Sequence, residues 1–193
     1  MLFESWQLAE IAGPKKALVF AKPEVVVTMI QRAKRPILVV GHNIINGEVG
    51  EEAINIIINI TNATNIPMVA TAHMLSEFIK REVRSTAWMS LVDFANRLQD
   101  PNWKGLDGEG NYDLVLFVGV PYPMGWLILS SLKHFAADLT TASLDRFYQP
   151  NATCSFSNLP AKKWIGNLKL IANALQGGKQ DIGKSGEGSG TSS

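Results

Sequence analysis

Cysteine is nearly absent: Cys154 is the single thiol among 193 residues. That excludes an internal disulfide, and it excludes an iron–sulfur cluster or zinc site held by the chain's own thiolates. Charge is scarce too, at 18% of residues, with a formal net charge of +1. A chain without a basic excess lacks the phosphate-neutralising face of a nucleic-acid binder. The histidines His42, His73 and His134 are scattered without ligand spacing, so no metal site is expected. Neither a Ser–His–Asp set nor a carboxylate pair can be argued from spacing, and no catalytic residue is nominated. Cys154 has no histidine or lysine close in sequence and reads as a quiet structural thiol.

A secretory leader is not expected, since Glu4 and Glu10 interrupt the start and no basic flank precedes an apolar core. The uncharged run from Leu114 to Leu132 invites comparison with a membrane span. Gly119, Pro121, Pro123 and Gly125 cluster at its centre and would break a spanning helix. The run reads instead as a buried strand, a tight turn and a helix. A cytoplasmic chain with no membrane partner is expected.

Hydrophobic residues make up 46% of the chain, enough for one globular core. Residues 1–22 read as an N-terminal extension that packs on the domain or on a partner, 23–176 as one domain, and 177–193 as a disordered Gly/Ser-rich tail. Within the domain, Pro23 suits the first turn of a helix whose stripe is Val25, Val26, Met29, Ile30 and Ala33. Ile37–Val40 is a strand closed by Gly41. The next helix carries Glu48, Glu51 and Glu52 in its first turn and Val49, Ala53, Ile56, Ile57 and Ile60 on one face. Pro67–Ala70 is a second strand, parallel to the first across that helix. Met74–Arg81 allows one or two helical turns, and Trp88–Leu98 reads as a helix with Trp88, Leu91, Val92, Ala95 and Leu98 inward. Leu114–Val118 is a strand buried on both faces, followed by a helix from about Gly125 to Ala137. Leu139–Leu144 is another strand, and Pro160 starts a last helix with Trp164, Leu168, Ile171 and Leu175 inward. Alternating strands and helices predict an α/β domain with a mainly parallel sheet.

Loops at the carboxyl ends of such strands converge on ligands, and helix N-termini there favour phosphate. The candidate cofactor-binding residues are therefore Gly41, His42 and Asn43, then Thr71 and Ala72, then Gly119 and Val120. No complete Gly-x-Gly-x-x-Gly follows the first strand, so a standard dinucleotide fingerprint is missing. A literal P-loop pattern at Gly178–Ser185 follows a helix rather than a strand and reads as a chance match.

Two blocks carry a family resemblance. The first is Asp100-Pro-Asn-Trp103-x-Gly-Leu-Asp107-Gly-x-Gly-Asn-Tyr-Asp113. The second is Asp145-Arg146-x-Tyr148-x-x-Asn151-Ala-Thr-x-Ser155-Phe-x-Asn158-Leu159. Both resemble the epsilon subunit family of the archaeal acetyl-CoA decarbonylase/synthase (carbon monoxide dehydrogenase) complex. The resemblance runs through roughly residues 20 to 175. It implies a Rossmann-like, three-layer α/β/α domain related to the nucleotide-binding middle domains of thiamine-dependent enzymes. It also implies a non-catalytic accessory subunit paired with a large alpha subunit as α2ε2, with the Ni-Fe-S clusters confined to alpha. Two roles follow from it, stabilising alpha or assisting electron transfer to FAD. His42-Asn43-Ile44 and Ala72-His73-Met74 are bulkier than the family's turns, which narrows a pyrophosphate pocket. Trp103, Asp107, Asp145, Arg146, Tyr148 and Asn151, on two loops read as exposed and rich in aromatics, are the candidate partner-binding residues; the equal alternative is that the aromatics Trp103, Phe147 and Tyr148 cover the sheet edge of their own domain. The rival expectation is a free-standing nucleotide-binding enzyme of the same fold.

Overall fold

The computed structural model describes residues 16–184. The expected extension up to residue 15, and the expected tail beyond Lys184, lie outside the described residues. The sheet comprises β1 (Leu18–Val19), β2 (Pro36–Val40), β3 (Met68–Ala70), β4 (Ala87–Trp88), β5 (Leu114–Val118), β6 (Thr140–Ser143) and β7 (Cys154–Ser155). All pairings are parallel, in the order β1-β7-β6-β5-β2-β3-β4. The helices are α1 (Glu24–Arg32), α2 (Gly50–Thr64), α3 (Leu75–Lys80), α4 (Leu91–Gln99), α5 (Tyr122–Phe135) and α6 (Ala161–Lys184). The architecture is the expected Rossmann-like α/β fold in three layers.

The central strands carry apolar side chains on both faces because both faces are covered. Leu38, Val40, Leu114, Leu116 and Val118 join α1, α2 and α6 in one core layer. Ile37, Val39, Val115 and Phe117 join α4 and α5 in the other. Alternation along each strand thus divides one sequence run between two cores. On α2, Ala53, Ile56, Ile57 and Ile60 are buried as the periodicity requires. Asn65 closes that helix in the left-handed region at φ 56°. The uncharged run splits into β5 and α5, with Pro123 inside the first turn of α5, where its missing N–H removes no helical bond. Among the described residues, no helix is long and apolar enough to cross a membrane.

Several boundaries differ from the sequence reading. The helix expected from Trp88 begins at Leu91, because the Ser90 hydroxyl caps it by accepting the Asp93 N–H at 3.1 Å. Trp88 instead belongs to edge strand β4, its ring 5.7 Å from Phe78, and Val92 faces solvent. On α1, Val27 is buried where Val25 was expected. Residues Leu18–Val19, assigned to an extension, pair with β7 as a sheet edge. Helix α6 continues through Gly177, the expected start of a disordered tail, to Lys184.

Candidate functional site

The strand order reverses between β2 and β5: β3 and β4 extend one way, β6, β7 and β1 the other. Loops leaving two such strands diverge, and the crevice between them is where ligands of open α/β sheets bind. Gly41 leaves β2 and Gly119 leaves β5, and the two backbones touch. A Cβ on Gly41 would lie 2.3 Å from the Gly119 carbonyl oxygen, and one on Gly119 would lie 2.4 Å from that of Gly41. Gly119 also has φ +71°, so glycine is required there on two counts.

The N–H groups at this crossing are already used by the chain. Gly41 donates to the Val118 carbonyl and Asn43 to that of Gly119, each at 2.8 Å. Gly119 donates to Asp145 Oδ1 at 2.6 Å, and the same carboxyl receives the Val120 N–H. Asp145 follows β6 and so supplies, from inside the fold, the acceptor that a glycine turn would otherwise take from a ligand. Its carboxyl is enclosed, although other parts of the residue reach solvent. Burial pushes that carboxyl up to about 7, against the opposing pull of the two N–H donors. A dinucleotide diphosphate therefore does not fit this turn: the N–H donors it needs are taken by the Asp145 carboxyl group, and no gap separates the two glycines.

Beside the turn lies a cleft of about 560 Å³. It is lined by Asn43, Ile44 and residues 46–49 from the β2–α2 connection, by Val120 and Tyr122, by Asp145, Arg146, Phe147 and Gln149, and by Ala161 and Trp164 of α6. Trp164 is fixed by donating its indole N–H to the Leu144 carbonyl at 2.7 Å. Gln149 is only 2% exposed, and its Oε1, like Arg146 Nε, is buried without a hydrogen-bond partner among the described residues. Gln149 Nε2 donates to the Tyr122 carbonyl at 3.4 Å.

The nominated cofactor residues fall into two groups. Gly41, Asn43, Gly119 and Val120 meet at the switch point. His42, Thr71 and Ala72 lie toward β3, where the His42 and His73 rings approach to 5.8 Å and Thr71 Oγ1 is buried without a partner among the described residues. Asp145 and Arg146, nominated for a partner surface, line the cleft instead. Gln149, Trp164 and Glu48 were missed. Nothing local in the sequence marks them, because they reach the cleft from two separate connections and from helix α6.

Of the two loops read as exposed, Asp145–Asn158 is largely internal, whereas Asp100–Asn111 is mostly exposed. Trp103 packs on its own domain, with ring contacts to Phe94 at 6.0 Å and Tyr112 at 5.7 Å. Tyr148 is buried and donates its hydroxyl to the Ala17 carbonyl at 2.8 Å. Asn151 is buried with its amide directed at the Trp126 carbonyl, 3.3 Å away. The sequence left both aromatics open between a docking surface and cover for their own domain, and they are turned inward, where the flanks of the sheet beyond α4 and α5 need apolar cover. Asp107 does face solvent, paired with Arg35 at 2.6 Å. The Glu109 N–H, and then Arg35, hold its carboxyl below the usual range. Of the loop aromatics, Phe147 stays half exposed, under the Arg146 guanidinium at 4.8 Å.

Comparison with known proteins decides the family. The model of the CO dehydrogenase beta subunit/acetyl-CoA synthase epsilon subunit family matches residues 3–172. The chain belongs to that family. It is 37% identical over 166 residues to the acetyl-CoA decarbonylase/synthase complex subunit epsilon of Methanothermobacter thermautotrophicus, covering 86% of this chain and 92% of that one. It is 37% identical over 156 residues to the subunit of that name from Methanothrix soehngenii, covering 80% of each chain. Subunit epsilon 1 of Archaeoglobus fulgidus is 38% identical over 156 residues, covering 80% of this chain and 81% of that one. The family match spans the sheet from β1 to β7 and includes the whole switch-point turn.

Proposed function

We propose that this chain is the epsilon subunit of an acetyl-CoA decarbonylase/synthase complex, docking on the Ni-Fe-S alpha subunit in an α2ε2 assembly and stabilising it. The observation that carries this reading is similarity along nearly the whole chain to proteins named as that subunit. Of the two roles, stabilisation is favoured over electron transfer to FAD, because the glycine turn holds Asp145 where a flavin dinucleotide would need free N–H donors. The role asks only for a rigid domain with a complementary surface.

The test is an anaerobic pull-down with the Ni-Fe-S alpha subunit, followed by size-exclusion chromatography and a flavin absorbance spectrum with and without added FAD. A stable, flavin-free complex in which alpha resists heating longer than alpha alone is the expected result. Flavin retained through the column would restore the electron-transfer role. Failure to bind alpha would return the free-standing nucleotide-binding enzyme to first place.

A further inference from the structure

Spacing along the chain brings no two histidines together; the sheet does. Strands β2 and β3 run side by side, with Val40 opposite Ala70, so the turns that leave them start as neighbours. His42 opens the 3-10 turn His42–Ile45, and His73 lies in the 3-10 turn Ala72–Met74. Both histidines are exposed, and their ring centres are 5.8 Å apart with the planes inclined at 56°. Neither imidazole makes a hydrogen bond or an ion pair among the described residues. The turns that carry them are pinned on both sides. Asn43 donates its N–H to the Gly119 carbonyl at 2.8 Å, and Ile44 beside it is buried. Thr71 donates to the Val40 carbonyl at 3.1 Å and Met74 to that of Thr71 at 2.8 Å, with the Met74 side chain fully buried. Two imidazoles with no other polar partner are thus presented side by side by backbone that the fold has already ordered.

We propose that His42 and His73 together bind one divalent transition-metal ion of the kind that imidazole nitrogen selects: zinc, nickel or copper. An ion about 2.0–2.1 Å from one nitrogen of each ring, at a roughly tetrahedral angle, sets the ring centres roughly 5–6 Å apart. The observed 5.8 Å falls in that range, so the rings have the separation that a shared ion needs before any backbone moves. Among the described residues no group of three or more His, Cys, Asp or Glu could hold a metal ion, so the chain supplies two ligands and water the others. Such a site is open and exchangeable, unlike the closed four-ligand sites that hold a fold together. Its donors also set its selectivity: magnesium, which prefers oxygen ligands, is excluded. Bound metal ties the turn after β2 to the turn after β3, and this requires neither the cleft nor a docked partner.

Isothermal titration of Zn²⁺ and of Ni²⁺ into the full-length, untagged, metal-free chain tests this, with Mg²⁺ as the control. One Zn²⁺ or Ni²⁺ per chain is expected, and no Mg²⁺. His42→Ala and His73→Ala should each weaken binding at least about tenfold, since losing an inner ligand costs no less than losing an outer-shell partner. His134→Ala and Cys154→Ser should leave it unchanged. Both ligand histidines are exposed, so the two alanine variants should unfold at the wild-type temperature without metal. The rise in unfolding temperature that Zn²⁺ gives the wild type should be lost in both. No binding tighter than about 1 mM, or one ion shared between two chains, would overturn the proposal. So would binding that either histidine substitution leaves within about tenfold of the wild type.

Discussion

Replacing Asp145 by Asn removes an ionisable group while keeping an oxygen that can accept the Gly119 N–H, now held at 2.6 Å. The native carboxyl is raised from 3.8 to about 7 by burial. The folded chain therefore holds this proton more tightly than the unfolded chain does. Stability contributed by the neutral acid is complete at low pH and declines as the pH rises from about 4 through about 7. A difference of that size amounts to roughly 4 kcal/mol well above pH 7, of which roughly 2–3 kcal/mol develops between pH 5 and pH 8. Other titrating groups cancel when the wild type and Asp145→Asn are compared at the same pH. Urea unfolding at pH 5 and pH 8, with matching m-values, gives the comparison. The variant should gain roughly 2–3 kcal/mol on the wild type between the two pH values. A gap that stays constant within about 0.5 kcal/mol, inside ordinary extrapolation error, would refute an enclosed carboxyl at this turn.

The same geometry yields further tests. Gly119→Ala places a methyl against the Gly41 carbonyl and the Ile44 backbone at φ +71°, so it should cost about 3 kcal/mol or more by thermal or chemical unfolding. A loss below 1 kcal/mol would mean that the two turns are not in contact. Tyr148→Phe leaves the Ala17 carbonyl without its buried donor and should cost about 1–2 kcal/mol, with faster amide exchange in β1 than in β5. Burial pushes the Cys154 thiol up, so it should react with a disulfide reagent at pH 7.5 far more slowly than free cysteine does, and at full speed once unfolded. Asn65→Gly replaces a left-handed cap by the residue that adopts it most readily, and should leave stability unchanged or raise it by up to about 1 kcal/mol.

Much of this organisation could be read from single stretches of chain. Leu114–Val118 is apolar at every position, and five consecutive apolar residues before a glycine and two prolines can satisfy burial only as a strand covered on both sides. The isoleucines of α2 repeat at helical spacing, and Pro23 and Pro160 mark the starts of α1 and α6. Edges were harder to read. Two-residue strands such as β1, β4 and β7 are held by neighbours distant in sequence, and nothing in Leu18–Val19 itself announces a partner at Cys154–Ser155. Trp88 and Val92 fit a helical stripe until the Ser90 hydroxyl starts the helix three residues later than the stripe suggests.

The chain's own order of residues thus determined the α/β class, the central strands and the glycines at both strand ends, because periodicity, proline and glycine act through local backbone and burial. Membership of the epsilon family is likewise carried by contiguous motifs. Only the tertiary structure decided what those glycines do. It brought Asp145 from the end of β6 onto the Gly119 N–H, placed Gln149 and Trp164 at the cleft, and turned Trp103 and Tyr148 inward. Each of these depends on which strands become neighbours, and a carboxylate that fills a turn from 26 residues away leaves no local pattern to read.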